Sequence, residues 1–240
     1  MTAPGGPAGG RRDRKKSETR EALRTEAHRL FAEKGFAKTT IDDITEAADV
    51  SRRTFFRYYD SKDDLLQTDV ADLLPVMLAA LRARPASEPP FTAILAVLRT
   101  MIGPDGPPAL AQSLASPAEG IRARLSLIRL LAEWEQGIAD TLLVRASAAA
   151  VAEPGPAEDG AAEDGAAEDG AAEDGAAEQE RLRAVVTACA ATSALRASAQ
   201  IYRSRYPGRG LDTTRLLPII EQAFAVLAGN PPGRGLPADG

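Results

Sequence analysis

The sequence predicts an all-α protein, and three observations carry that prediction. Apolar residues recur at three- and four-residue intervals along most of the chain; the two-residue alternation of a half-buried strand occurs nowhere; and Ser, Thr, Gly and Pro stand where helical segments start and stop. With 240 residues and 44% hydrophobic side chains, the chain is long enough for a substantial core. The elements divide into a small N-terminal unit of three short helices and a larger helical domain.

Taken in order, Leu23, Ala27, Leu30 and Phe31 line one face of the first helix, which stops at Gly35. "TTIDDITEAA" opens the second: Thr40 with Asp43 three residues on reads as a capping box, and Ile41, Ile44 and Ala48 form its buried stripe. "ADVS" is a tight turn in which Asp49 takes the left-handed conformation that usually selects glycine. Ser51 caps a short third helix, "RRTFFRYY", and Ser61 with Asp64 forms a second capping box before "LL". Two short helices joined by a four-residue turn are a helix-turn-helix unit.

The remaining signals are helical. An amphipathic helix is expected over 62–83 with a kink at Pro75, then shorter helices at about 91–102 and 107–116 separated by "GPDGPP". A long helix over about 118–150 carries Leu127, Leu131, Trp134, Ile138 and Leu142 on one stripe; at about 1.5 Å per residue it spans roughly 45 Å and needs other helices alongside it. Two more helices, about 178–205 and 212–228, close the pattern. In the last, Leu216, Ile220, Phe224 and Leu227 form a stripe, and the small residues of "AVVTACAATSALRASA" before it permit close approach. This pair is expected to bury its apolar faces across a two-fold axis as a four-helix bundle.

The net charge of −5 conceals a segregation. Residues 157–180, built on a tandem "AEDGA" unit, hold ten of the 34 acids and no base, leaving 24 acids against 29 bases elsewhere, a net +5. The repeat has no large apolar side chain to bury and is expected to be a disordered insert. At the other extreme, Arg11, Arg12, Arg14, Lys15 and Lys16 stand against the single Asp13, a composition suited to a polyanion. No apolar leader or run of about 20 apolar residues occurs, so a cytoplasmic location without membrane contact is expected. One cysteine, Cys189, and one histidine, His28, exclude an internal disulfide, cysteine metal clusters and most catalytic triads and zinc sites; no cofactor, metal or catalytic residue is assigned.

The short third helix is where this charge acquires a use. With Ser51 as its cap, Arg52, Arg53 and Thr54 occupy the first turn, and Phe56 and Arg57 continue the outward face, while Phe55 and Tyr59 point inward against Ile41, Ile44 and Val50. An arginine fork matches the O6 and N7 acceptors of guanine, and the first turn of a recognition helix is the part that reaches base edges. Arg52 and Arg53 are the candidate base readers. Tyr58, Lys62 and the Thr40 hydroxyl are candidate phosphate contacts, whereas Asp42 favours the helix dipole but repels phosphate.

Residues 28–66, "HRLFAEKGFAKTTIDDITEAADVSRRTFFRYYDSKDDLL", strongly resemble the DNA-binding domain of TetR-family transcriptional regulators in motif content and spacing. The resemblance is close over some 50 residues and extends to the remaining helices only in layout. It implies an N-terminal three-helix helix-turn-helix DNA-binding domain followed by a larger helical ligand-binding and dimerisation domain. It also implies phosphate contacts at Thr40, Tyr58 and Lys62, and base or phosphate contacts at Arg52, Arg53 and Thr54, with Arg57 on the same surface. Two positions depart from the family pattern: Asp49 replaces a usual glycine, and Phe56 replaces a usual tyrosine and so lacks a hydroxyl for phosphate.

The expected organisation is a disordered basic arm (1–16), the helix-turn-helix domain (17–62), a regulatory and dimerisation domain (63–230) with the acidic insert at 152–178, and a disordered tail (231–240). Family layout puts the long helix beside a ligand pocket, with Trp134 and Ile138 as lining candidates and Glu133, Glu135 and Arg196 as polar groups that could join them. The function implied is a ligand-responsive repressor acting as a homodimer on a pseudopalindromic double-stranded DNA operator and answering to a small-molecule effector. The alternative is a helical small-molecule-binding protein or enzyme without a DNA-binding role. An enzyme would need a convergent catalytic set, which one histidine, one cysteine and no glycine-rich phosphate loop do not supply.

Overall fold

The first turn of the chain's path is set by Gly35, whose φ of 85° ends α1 (Arg11–Lys34) in the left-handed region where an L side chain is strained. The computed structural model describes residues 11–115, 120–152, 166–207 and 212–229. Residues 11–16, expected to be part of a disordered arm, belong to α1, and residues 1–10 lie outside the described set. The capping box at α2 (Ile41–Ala47) forms as its spacing predicts: Thr40 Oγ1 accepts from the Asp43 amide and the Asp43 carboxylate accepts from the Thr40 amide. Asp49 adopts φ 52°, and Ser51 caps α3 (Arg52–Phe55) by accepting from the Thr54 amide.

α4 (Lys62–Asp72) begins with a variant of the expected box. Ser61 accepts from the Asp64 amide, but the Asp64 carboxylate reaches back to the Asp60 amide rather than to Ser61. Pro75 does not kink one long helix. The helix breaks at Leu73, and α5 (Leu74–Arg82) starts anew with Pro75 in its first turn, where a missing N–H leaves no hydrogen bond unmade. α6 (Pro90–Ile102), α7 (Pro108–Ala115), α8 (Gly120–Ala152), α9 (Ala166–Arg205) and α10 (Thr213–Leu227) complete the described helices, and no strand occurs among the described residues. Residues 166–178, expected within the disordered insert, are the first turns of α9; residues 153–165 and the tail expected at 231–240 lie outside the described set.

Two cores result. Leu23, Ala27, Leu30, Phe31, Ile44, Phe55, Tyr59 and Leu65 fill the space between α1, α2, α3 and the start of α4. Leu66 and Val70, one residue and one turn further along α4, belong instead to the large core built on α5–α10. A single helix is thus wedged into both cores. In the large core α8 and α9 pack most extensively, with α5 on α8 and α10 against α9 and α6. Gly137 allows the α5–α8 approach: a Cβ there would stand 2.9 Å from Leu78 Cδ1. Arg145, almost fully buried on α8, donates to the carbonyls of Leu81, Arg84, Pro85 and Glu88 and so satisfies the C-terminal end of α5 and the turn after it.

The stripe expected at the two-fold interface lies inside the chain. Leu216, Ile220 and Phe224 are buried in the large core among α6, α9 and α10, with Phe91 edge-on to Phe224. An apolar stripe records only that a helix face leaves water; a neighbouring helix of the same chain satisfies it as well as a partner does. Ile220→Glu is therefore expected to unfold the chain rather than to release folded monomers, because it buries a carboxylate without a partner. Ile220→Val should fold and lose about 0.5–1.5 kcal/mol in urea unfolding. A well-folded Ile220→Glu monomer would return this stripe to an interface.

Candidate nucleic-acid interface and helical-domain cavity

The N-terminal surface is organised by α3. Phe55 and Tyr59 are buried 5.7 Å apart between ring centres, which fixes the helix and turns its first residues outward. Arg53 is exposed and makes no hydrogen bond or ion pair with the described residues. Arg52 differs: its Nη1 donates to both oxygens of Asp42 at 2.9 and 3.1 Å, and its guanidinium lies over the Phe56 ring. Arg57 lies over the Tyr58 ring, donates to its hydroxyl, and faces Lys15, Lys16 and Thr19 of α1 across a shallow groove. Thr54 shares a hydroxyl hydrogen bond with Ser51, and Phe56 is 45% exposed, an aromatic edge without a polar group.

Two expected phosphate contacts have other work in this structure. The Thr40 hydroxyl donates to Asp43 at 2.7 Å while accepting from the Asp43 amide. The Asp43 pKa is held low by Lys34 first, then by the Thr40 amide and hydroxyl, so one carboxylate ties the end of α1 to the start of α2. The Lys62 ammonium sits 2.7 Å from the Phe36 carbonyl and 3.1 Å from that of Thr39, above the Phe36 ring. It closes the α1–α2 connection onto α4. Lys15 and Lys16, placed in sequence only within a basic arm, join this surface because α1 extends back to Arg11.

Behind this surface is a polar joint that the sequence did not disclose. Asp69 of α4, with 0% exposure, has one oxygen 2.7 Å from His28 Nε2 and the other 2.7 Å from Arg24 Nε. His28 Nδ1 lies 2.7 Å from Gln112 Oε1 on α7, and the Gln112 amide nitrogen donates to the His28 carbonyl, which orients the side chain. Both ring nitrogens face acceptors, the arrangement of an imidazolium. Burial pushes the His28 pKa down, but hydrogen bonds from Asp69 and then Gln112 outweigh it, so the value is raised above 6.5. Arg24 also contacts Asp72, which Arg20 approaches at 3.9 Å, and Arg20 donates to the Tyr59 hydroxyl.

The large domain contains a cavity of about 480 Å³ between α4, α7, α8 and α9. Trp134 lines it as expected, and so does Arg196. Ile138 does not: one turn further along α8, it is packed into the core beyond the end of the cavity wall. Glu133 is exposed, while Glu135 lies outside the lining and accepts from Thr192 Oγ1, which does line it. Arg203 was missed by the sequence reading, although its position seven residues after Arg196 puts both on one helical face. Among the described residues, no helix is long and apolar enough to cross a membrane.

These features define a helix-turn-helix DNA-binding domain joined to a helical domain with a cavity that opens to solvent at Arg196 and Gln200. Residues 23–68 match the model of the bacterial regulatory proteins of the tetR family. The HTH-type transcriptional regulator TcmR of Streptomyces glaucescens is 40% identical over 102 residues, covering 42% of this chain and 44% of that protein. The chain thus aligns with less than half the length of this curated relative. Two solved structures of TetR-family regulators share the fold at a TM-score of 0.52. The one from Pectobacterium atrosepticum is 17% identical over 90% of this chain and 93% of its own; the one from Syntrophomonas wolfei is 13% identical over 89% and 96%.

The joint makes a pH prediction. Because the folded His28 pKa is raised, its contribution to stability is complete below the unfolded value of about 6.5 and is lost as pH rises through the higher folded value. Urea unfolding is expected to show stability falling as pH rises above about 6.5, a fall that His28→Gln flattens. An unchanged slope in the variant would assign the pH dependence elsewhere.

Proposed function

We propose that the protein is a ligand-responsive transcriptional repressor that binds a pseudopalindromic operator as a homodimer. The observation that carries this reading is the double membership of α4: Leu65 sits in the core beneath the DNA-reading helix, and Val70, little more than a turn on, lines the cavity. A molecule seated in the cavity pushes against the helix that supports α1 and α3. In a dimer, such a displacement changes the separation of the two α3 helices from the roughly 34–36 Å needed for successive major grooves.

On this reading Arg53 is the principal base reader, since its guanidinium is uncommitted. Arg52 joins it once released from Asp42, an exposed pair worth at most about 1 kcal/mol. Lys15, Lys16, Arg57 and Tyr58 grip the flanking phosphates. The homodimer is supported by the outward face of α9, where Leu182 and Val186 are 63% and 57% exposed, and by Val226 of α10 at 60%. Large apolar side chains left exposed on neighbouring turns of one helix, as Leu182 and Val186 are, mark an interaction surface.

Binding is tested with an operator selected from genomic fragments by the purified protein and measured by fluorescence anisotropy. Arg53→Ala is expected to cost about 1–3 kcal/mol on the operator and to relax preference at one base pair. Asp42→Asn should tighten binding to every sequence, because it removes a charge that repels phosphate and frees Arg52. Equal losses on specific and random duplexes for Arg53→Ala would remove its base-reading role. In a separate measurement, Val186→Glu is expected to sediment as a folded monomer that no longer protects both half-sites, and an intact dimer would move the interface off α9.

A further inference from the structure

The walls of the cavity are chemically unlike. From α8 come Leu127, Leu130, Leu131 and Trp134, an apolar wall. From α9 come Thr192, Arg196, Gln200 and Arg203, spaced four, four and three residues apart and therefore on one face of the helix. Among the described residues, no aspartate or glutamate lines the cavity.

Arg203 is the informative residue. It is half-buried, and among the described residues its one hydrogen bond runs at 2.7 Å to the Leu114 carbonyl and no carboxylate pairs with it. Burial alone pushes its pKa down, with no opposing charge to restore it. Elsewhere in the chain, the guanidiniums of Arg24, Arg84 and Arg99 have carboxylate partners, and the deeply buried Arg145 is satisfied by four carbonyls. Arg203 has neither arrangement. Arg196 is exposed and, among the described residues, bonds only the Ser193 hydroxyl, at 3.2 Å. Trp134, 4% exposed, adds an indole N–H with no acceptor. The cavity therefore offers donors and positive charge along one side without matching acceptors, and hydrocarbon along the other.

We infer that the cavity selects an organic anion: a molecule with an extended apolar or aromatic body that packs on Leu127, Leu131 and Trp134, and an acidic group that pairs with Arg203 and Arg196. This rests on the reading of the cavity as the effector site and adds the ligand's charge and shape. The apolar body supplies burial, and the acid supplies the partner that Arg203 lacks. A neutral molecule of the same shape leaves the guanidinium as it was and forgoes the charge-assisted bonds.

The chain contains a single tryptophan, and it stands in the cavity wall, so its emission reports occupancy. The probes are 1-anilinonaphthalene-8-sulfonate and N-phenyl-1-naphthylamine, the same ring system with and without an acid. Titrated into the full-length protein, both should quench Trp134 with one probe per chain, the sulfonate with about tenfold higher affinity. Arg203→Met and Arg196→Met should each erode that preference while leaving the neutral probe's affinity unchanged, and Arg203→Lys should restore part of it. Thermal melts establish that each variant is folded; if Arg203→Met is not, the wild-type preference and Arg196→Met decide. Equal affinities for the two probes, insensitive to the arginines, would overturn the anion selectivity while leaving the cavity reading intact. Failure of either probe to quench Trp134 in the folded protein would overturn the cavity reading itself.

Discussion

The buried carboxylate of Asp69 is the constraint around which the two domains are arranged. It accepts His28 and faces Arg24 from α1, and through His28 it is linked to Gln112 of α7. A carboxylate fully removed from water is costly unless charge and hydrogen bonds surround it, and here α1 supplies both partners while α7 orients one of them. Such an arrangement need not add net stability, since an apolar cluster of the same volume can do as well. What it supplies is register: α1, α4 and α7 satisfy the charge in one relative placement, whereas an apolar contact tolerates sliding.

That register matters because the same three helices separate the two functional surfaces. α1 carries Lys15 and Lys16 to the groove beside Arg57 and Tyr58, and α7 carries Leu110, Ser113 and Leu114 to the cavity. α4 touches both cores through adjacent leucines, Leu65 and Leu66. On the proposed reading, a displacement at the cavity passes through a joint whose polar contacts are directional and whose central imidazole has a raised pKa.

Several polar residues around α3 hold the fold together as well. Thr40 caps α2, Lys62 covers the carbonyls that follow α1, and Arg52 is held by Asp42. Helix ends expose unpaired backbone groups, and in a unit whose second and third helices are 7 and 4 residues long there are many ends per residue. Side chains that cap them are therefore near any ligand that approaches those ends, whereas Arg53, which caps nothing, stays uncommitted on the surface.

The sequence by itself determined what depends on neighbours along the chain. The caps at Thr40, Ser51 and Ser61, the left-handed Asp49, the stop at Gly35 and the inward Phe55 and Tyr59 were all legible, because each follows from hydrogen bonds or helical spacing within a few residues. The helix-turn-helix and its arginine face followed from them. Tertiary structure decided which neighbour each face met. Periodicity marked Ile138, Ile220 and Trp134 alike as faces that leave water; packing put the first two in the core and the third against a cavity. His28 and Gln112 are 84 residues apart and Arg203 meets the Leu114 carbonyl across 89, separations at which no local pattern records a contact. Burial is a property of the face and can be read from spacing, whereas a partner across space is fixed only when all the helices have been packed at once.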